Sequence, residues 1–143
     1  MKVLISACLL GQKCRYDGDT KENANVLKKF ENDEVIPFCP EDPLFGTPRE
    51  RISMILKKGK YRVIKDESKE DVTKLLEDES LKAIEKHDSF DMIVLKTKSP
   101  SCGLGTTPIL NENRVHLKYG DGVSIKVLKE KYKDAIFVDE KNL

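Results

Sequence analysis

The chain alternates short apolar runs with amphipathic segments. An apolar run of about four to eight residues between turn signals is typical of a buried strand. Such runs predict six strands, at 2–7, 34–38, 60–64, 91–95, 114–117 and 134–138. The run 51–56 is apolar on one face and fits a helix or a strand. The pattern therefore predicts strands distributed along the whole chain, from residue 2 to residue 138.

Helical spacing recurs between the predicted strands. Segments 22–31, 70–87 and 121–131 repeat apolar side chains on one face, which predicts amphipathic helices. The longest of them follows Ser68, a good N-cap residue, and we expect a break near Ser80. Segments rich in Gly, Pro, Asp and Ser predict irregular loops, at 8–20, 39–49 and 98–108.

Strands that alternate with helices are typical of an α/β fold with a mainly parallel sheet. The length of 143 residues predicts one domain over 1–143, because a typical domain has about 100–150 residues. In open sheets of this kind, sites form at the carboxyl ends of the strands. We therefore expect a single α/β domain whose mainly parallel sheet is flanked by helices and has its site at that edge.

The charge balance narrows the choice of partners. Lys and Arg number 26 and Asp and Glu 25, which gives a net charge of +1. Extensive contact with nucleic acid needs bulk positive charge and is not expected, although a local basic pocket for a nucleotide stays open. No apolar run is long enough for a membrane span or a signal peptide, so we expect a cytoplasmic protein.

Three of the four cysteines follow predicted strands. Cys8 and Cys39 come directly after the first and second strands, and Cys102 lies in the loop after 91–95. If these strands are parallel neighbours, their loops meet at one edge and bring three thiols together. Cys14 is the fourth thiol. Because structural disulfides are rare in a reducing cytoplasm, metal binding or thiol chemistry is the better interpretation.

Several kinds of site use such thiols. They could be small core residues, or they could bind zinc, although paired Cys-x₂₋₄-Cys spacing is absent and His87 and His116 are distant in sequence. An iron–sulfur cluster accepts dispersed thiolates. Three ligands on a [4Fe–4S] cluster leave one iron open as a Lewis acid for a soft atom.

Polar side chains beside the cysteines suggest further roles. Glu41 could move protons, and the hydroxyls of Ser99 and Ser101 could polarise a ring nitrogen or oxygen. Tyr16 could stack on a flat base while Arg15 binds a phosphate. Each of them also fits an ordinary turn residue. Further candidate phosphate contacts are Arg49, Arg51, Lys96 and Lys98.

Five motifs in order resemble the thiouracil desulfidase (TudS-like) family. They are Ser-Ala-Cys-Leu-Leu-Gly at 6–11, Cys-Arg-Tyr-Asp-Gly at 14–18, Cys-Pro-Glu at 39–41, Thr-Pro-Arg at 47–49 and Lys-Ser-Pro-Ser-Cys-Gly at 98–103. The resemblance covers essentially the whole chain. Segment 42–46 departs from the family, which often has a glycine-richer stretch there.

The resemblance implies a small α/β enzyme with a [4Fe–4S] cluster and a non-redox reaction in which a thiocarbonyl becomes a carbonyl and sulfide leaves. The implied substrates are thiolated pyrimidines: 2- or 4-thiouracil, 4-thiouridine or its nucleotide. A thiolated tRNA also stays open as a substrate, although the net charge of +1 disfavours extensive contact with nucleic acid. By position, Cys8, Cys39 and Cys102 match the cluster ligands, while Glu41 and Ser99 match the catalytic acid and serine. Arg15, Tyr16 and Ser101 are the expected substrate contacts.

Two other functions compete with this one. The first is an iron–sulfur or zinc module that binds a partner protein and closes its site with Cys14 as a fourth ligand. The second is a thiol enzyme with Cys14 or Cys102 as nucleophile, which lacks a nearby histidine in sequence and ranks below the others.

Overall fold

The fold is described from a computed structural model of residues 1–143. Its first sheet, sheet A, contains four parallel strands: β1 (Lys2–Ser6), β2 (Glu34–Phe38), β5 (Met92–Leu95) and β8 (Ile136–Asp139). Their order in the sheet is β2-β1-β5-β8. The parallel sheet confirms the predicted α/β class.

A second sheet, sheet B, was not expected from the sequence. Its strands are β3 (Ile52–Lys57), β4 (Lys60–Lys65), β6 (Thr107–Leu110) and β7 (His116–Gly120), in the order β4-β3-β6-β7. The β3–β6 pair is parallel and the two outer pairs are antiparallel. The ambiguous run 51–56 is therefore a strand.

Four helices and one 3₁₀ turn complete the chain. They are α1 (Ala24–Lys29), α2 (Glu41–Phe45), α3 (Thr73–Ile84) and α4 (Val123–Lys131), with the 3₁₀ turn at Ala7–Leu10. The predicted loop 39–49 thus contains a helix, and the end of the predicted loop 98–108 is the first part of a strand. No helix has the length and apolar character that crossing a membrane requires.

Helix α3 differs from its prediction at two points. It begins at Thr73 with Val72 at the N-cap position, so Ser68 is not its N-cap. The Asp71 carboxylate accepts the Thr73 N–H at 3.0 Å. The helix also continues through Ser80. The Ser80 hydroxyl lies 2.7 Å both from the Leu76 carbonyl and from the Ser124 hydroxyl, which satisfies this buried polar group inside the helix.

The core has three parts. On one face of sheet A, Leu4, Ile93 and Leu95 pack with residues of α3 and α4, and on the other face Val3 and Ile5 pack with α1. The third part joins sheet B to α3. Helix α3 therefore contributes to the cores of both sheets.

Candidate functional site

The loops after three neighbouring strands meet at one end of sheet A. Because β1 pairs in parallel with β2 on one side and β5 on the other, their carboxyl ends lie side by side. Cys8 is in the 3₁₀ turn after β1, Cys39 directly follows β2, and Cys102 is in the loop after β5. All three, together with Cys14, line one cavity of about 530 Å³. The predicted convergence of the thiols is present.

The loop that presents Cys102 is held by the start of α4. The backbone N–H groups of Gly122 and Ser124 donate to the carbonyls of Gly103 and Ser101. A Cβ on Gly122 would come within 2.6 Å of the Ser101 carbonyl, so only glycine allows this approach. Gly122 was not predicted from the sequence, although a glycine in the first turn of the predicted helix 121–131 was the available signal.

The four thiols are free and differ in environment. Burial raises the pKa of Cys8 to about 11 and also raises that of Cys102. A hydrogen bond from the Cys14 thiol lowers the pKa of Cys39 below its ordinary value against the opposing effect of burial, and backbone N–H groups of α2 assist. The same hydrogen bond raises the pKa of Cys14. Cys39 is the thiol that ionises most readily.

The spacing of the donors bears on the kind of metal group that fits. No three His, Cys, Asp or Glu side chains converge closely enough to hold a single ion, and neither histidine lines the cavity. In a [4Fe–4S] cluster each thiolate binds a different iron, so its ligands surround a cavity instead of meeting at a point. A sulfur-rich donor set spread around a cavity fits a cluster better than a zinc ion.

Glu41 is the carboxylate beside the thiols. It begins α2, lines the cavity and has a side chain that is 13% exposed. Its Oε2 atom accepts a hydrogen bond from Ser101 Oγ at 2.8 Å, and its Oε1 atom lies 3.5 Å from Arg49 Nη2. The carboxylate is therefore held from two sides next to Cys39.

The two serines before Cys102 have different surroundings. Ser99 lines the cavity, and its Oγ accepts the backbone N–H groups of Ser101 and Cys102 at 3.2 and 3.0 Å. Ser101 is fully buried behind Glu41 and is not among the lining residues. Its role as a substrate contact stays a prediction. In the structure its hydroxyl donates to the Glu41 carboxylate instead.

Positive charge surrounds the cavity. Arg15 and Tyr16, whose role as substrate contacts stays a prediction, both line it, and the Arg51 guanidinium lies 4.6 Å from the centre of the Tyr16 ring. The seven cationic lining residues are Arg15, Lys21, Arg49, Arg51, Lys96, Lys98 and Lys141, against two acidic ones, Glu41 and Asp66. This excess favours an anionic ligand.

Arg49, a candidate phosphate contact, has a buried side chain that hydrogen-bonds to the chain itself. Its side chain is 6% exposed, and its Nη atoms donate to the carbonyls of Cys14 and Gly46 at 2.7 and 2.9 Å. Its Nε atom is buried and has no acceptor within the chain. A buried donor without an acceptor is uncommon in native proteins, so this atom fits a site that is completed by a bound group.

Fold and site together define a single-domain α/β protein with a thiol-lined pocket at the carboxyl edge of a parallel sheet. The chain belongs to the 2-thiouracil desulfurase family, whose model matches residues 3–140. It is 33% identical over 138 residues to the uncharacterised protein YbbK of Bacillus subtilis (strain 168), covering 90% of this chain and 89% of that one.

A solved structure is also similar. It is the [4Fe-4S]-dependent thiouracil desulfidase TudS, with a TM-score of 0.72 and 31% sequence identity over 99% of this chain and 92% of that one. The family resemblance and the fold class expected from the sequence are thereby confirmed.

Proposed function

We propose that the protein is a desulfidase that replaces the sulfur of a thiolated pyrimidine by oxygen and releases sulfide. The single observation that carries the proposal is the meeting of Cys8, Cys39 and Cys102 around one cavity with Glu41 beside them. Family membership and the similarity to TudS support a thiouracil desulfidase role. The reaction is a hydrolysis: C=S and water become C=O and hydrogen sulfide.

Cys8, Cys39 and Cys102 would hold a [4Fe–4S] cluster. When bound through three thiolates, such a cluster supplies an open iron, a Lewis acid that polarises the C=S bond of the substrate. Cys39 would ionise first, because the hydrogen bond from the Cys14 thiol lowers its pKa. Cys8 and Cys102, whose pKa values burial raises, would lose their protons on binding the metal.

Glu41 would act as the general base and then as the general acid. Its carboxylate would take one proton from the attacking water and give it to the sulfur of the tetrahedral adduct. As the C–S bond breaks and the C=O bond forms, the same carboxylate would take the remaining hydroxyl proton and pass it to the departing sulfur, so that both water protons leave with the sulfur as hydrogen sulfide. Ser99 would orient the ring, because its oxygen already accepts two backbone N–H groups and its own proton is left to donate to a ring nitrogen or oxygen.

The cationic lining supports a substrate that carries a phosphate. Arg15 and Lys98 line the cavity and would bind the phosphate, while Tyr16 would stack on the base. We therefore expect activity on 4-thiouridine and its nucleotide as well as on 2- or 4-thiouracil, with the nucleotide preferred. Raising the salt concentration should weaken this preference, because screening acts on charged contacts.

Anaerobic reconstitution tests the proposal. Iron and sulfide are counted after loading, and sulfide release is then measured with 2- and 4-thiolated pyrimidines supplied as base, nucleoside and nucleotide. The expected result is four irons per chain and stoichiometric conversion to the oxo form. A fully loaded protein that releases no sulfide from any of these compounds would refute the desulfidase function.

A second candidate function rests on Cys14, which lines the same cavity. If all four thiols close the site, the protein is an iron–sulfur or zinc module that binds a partner protein without catalysis. The Cys14→Ser variant separates the two functions. A desulfidase with three ligands keeps its four irons in this variant, whereas a closed four-thiolate site loses metal.

A further inference from the structure

We propose that Arg49 and Ser101 are positioning residues for the desulfidation reaction, because they hold the two oxygens of the Glu41 carboxylate from different sides. The inference rests on the proposed function and adds to it two residues that need not contact the substrate. Ser101 Oγ donates to Oε2 at 2.8 Å, and Arg49 Nη2 lies 3.5 Å from Oε1.

We call Arg49 and Ser101, together with the Glu41 carboxylate between them, the clamp. Burial restricts the motion of these three side chains. Ser101 is fully buried, and the side chains of Arg49 and Glu41 are 6% and 13% exposed. Water therefore competes little for the three groups. A carboxylate held at both oxygens keeps one orientation, and proton transfer depends strongly on such orientation.

Arg49 also joins its own loop, 46–51, to the loop that contains Cys14 and Tyr16. Its Nη2 donates to the Cys14 carbonyl at 2.7 Å, its Nη1 donates to the Gly46 carbonyl, and its backbone N–H donates to the Tyr16 carbonyl at 2.7 Å. A lysine has one ammonium in place of this planar fork and cannot make the same set of contacts. The clamp thus fixes Glu41 relative to the loop that contains Cys14.

The guanidinium lies close to the thiols as well. The Cys14 carbonyl that accepts from Arg49 also lies 3.9 Å from Cys39 Sγ. Arg49 Nε is buried without an acceptor in the chain, which leaves one N–H for a bound group. A buried positive charge beside a sulfur-bound cluster favours the reduced, more negative form, so it raises the reduction potential.

The test compares two variants with matched controls in the loaded protein. Ser101→Ala removes one hydroxyl, and its control is Ser80→Ala, another fully buried serine that lies outside the site. Arg49→Met removes the guanidinium group and its charge. Its control is Arg62→Met, because Arg62 forms an ion pair with Asp71 on the surface. Iron content, kcat, KM and the reduction potential are measured for each.

We expect kcat to fall about 10- to 100-fold in both site variants with iron content and KM near the wild-type values. The reduction potential becomes more negative in Arg49→Met only. A loss of fold alone would instead lower iron content. An unchanged kcat in fully loaded Ser101→Ala overturns the proposal that the clamp positions Glu41. This outcome decides the question even if Arg49→Met does not fold.

An unchanged potential in loaded Arg49→Met overturns the placement of Arg49 beside the cluster. If the wild-type protein releases no sulfide at all, the proposed function fails. The measured potential still decides the placement of Arg49 in that case, so the two failures are distinguishable.

Discussion

Single hydrogen bonds decide what each polar residue of the site is free to do. Ser99 and Ser101 are two positions apart, yet the oxygen of Ser99 accepts two backbone N–H groups at the cavity wall, whereas the hydroxyl of Ser101 donates to Glu41 in the interior. The sequence cannot distinguish these roles, because they depend on which way each side chain leaves a tight turn. The proposed role of Glu41, by contrast, was predicted from the motif that places it two residues after Cys39.

Replacing Glu41 by glutamine tests the proton transfer directly. The amide keeps the size of the side chain but can neither accept a proton from water nor return it, so sulfide release should fall by about 100-fold or more. Iron content and visible absorbance should stay at the wild-type level, because Glu41 is not a proposed cluster ligand. Glu112→Gln, at an exposed position outside the cavity, is the matched control. Wild-type rates in loaded Glu41→Gln would remove this residue from the mechanism.

Most elements of sheet A could be predicted because each is a short apolar run between loops. The strand β6 was missed because its sequence, Thr-Pro-Ile-Leu, continues a loop rich in Ser, Gly and Pro. Helix α2 was missed for a similar reason, since Pro43 lies within it. Sheet B depends on the parallel pairing of β3 with β6 across a large sequence separation, and local periodicity contains no information on such pairing.

The ends of α3 and α4 are joined by Tyr132, which directly follows α4. Its hydroxyl donates to the His87 carbonyl at 2.6 Å, and its ring packs edge-on against Phe90 with 4.9 Å between the ring centres. Burial, assisted by the negative charge of Asp88, raises the pKa of Tyr132 to about 12. The neutral phenol is thus part of the helix contact.

This contact predicts a dependence of stability on alkaline pH. The unfolded chain has a tyrosine pKa of about 10, so the folded value is the higher one. The stabilising contribution of Tyr132 is therefore complete below pH about 10 and is lost as the pH rises through about 12. Urea unfolding across this range should show a steeper loss of unfolding free energy in the wild type than in Tyr132→Phe. Parallel curves for the two proteins would contradict the prediction.

At the scale of the whole molecule, α3 connects the two sheets. Ile84, near its C-terminal end, belongs to the core of sheet A, and Leu76, in its first half, belongs to the core of sheet B. The cavity is lined by residues of both sheets, among them Cys39 after β2 and Met54 in β3. The packing of α3 therefore helps to set how the walls of the cavity are placed relative to each other.

Truncating Leu76 tests this connection, and its neighbour provides the control. Leu76 is fully buried while Leu75 is 46% exposed. Leu76→Ala should lower the free energy of unfolding by about 2–5 kcal/mol, because it removes buried contacts and leaves a cavity. Leu75→Ala should change it by about 0.5 kcal/mol or less. Because α3 packs on both sheets, unfolding of the variant should stay a single transition when near-UV and far-UV circular dichroism are followed together. Two separate transitions, or equal losses in the two variants, would contradict this prediction.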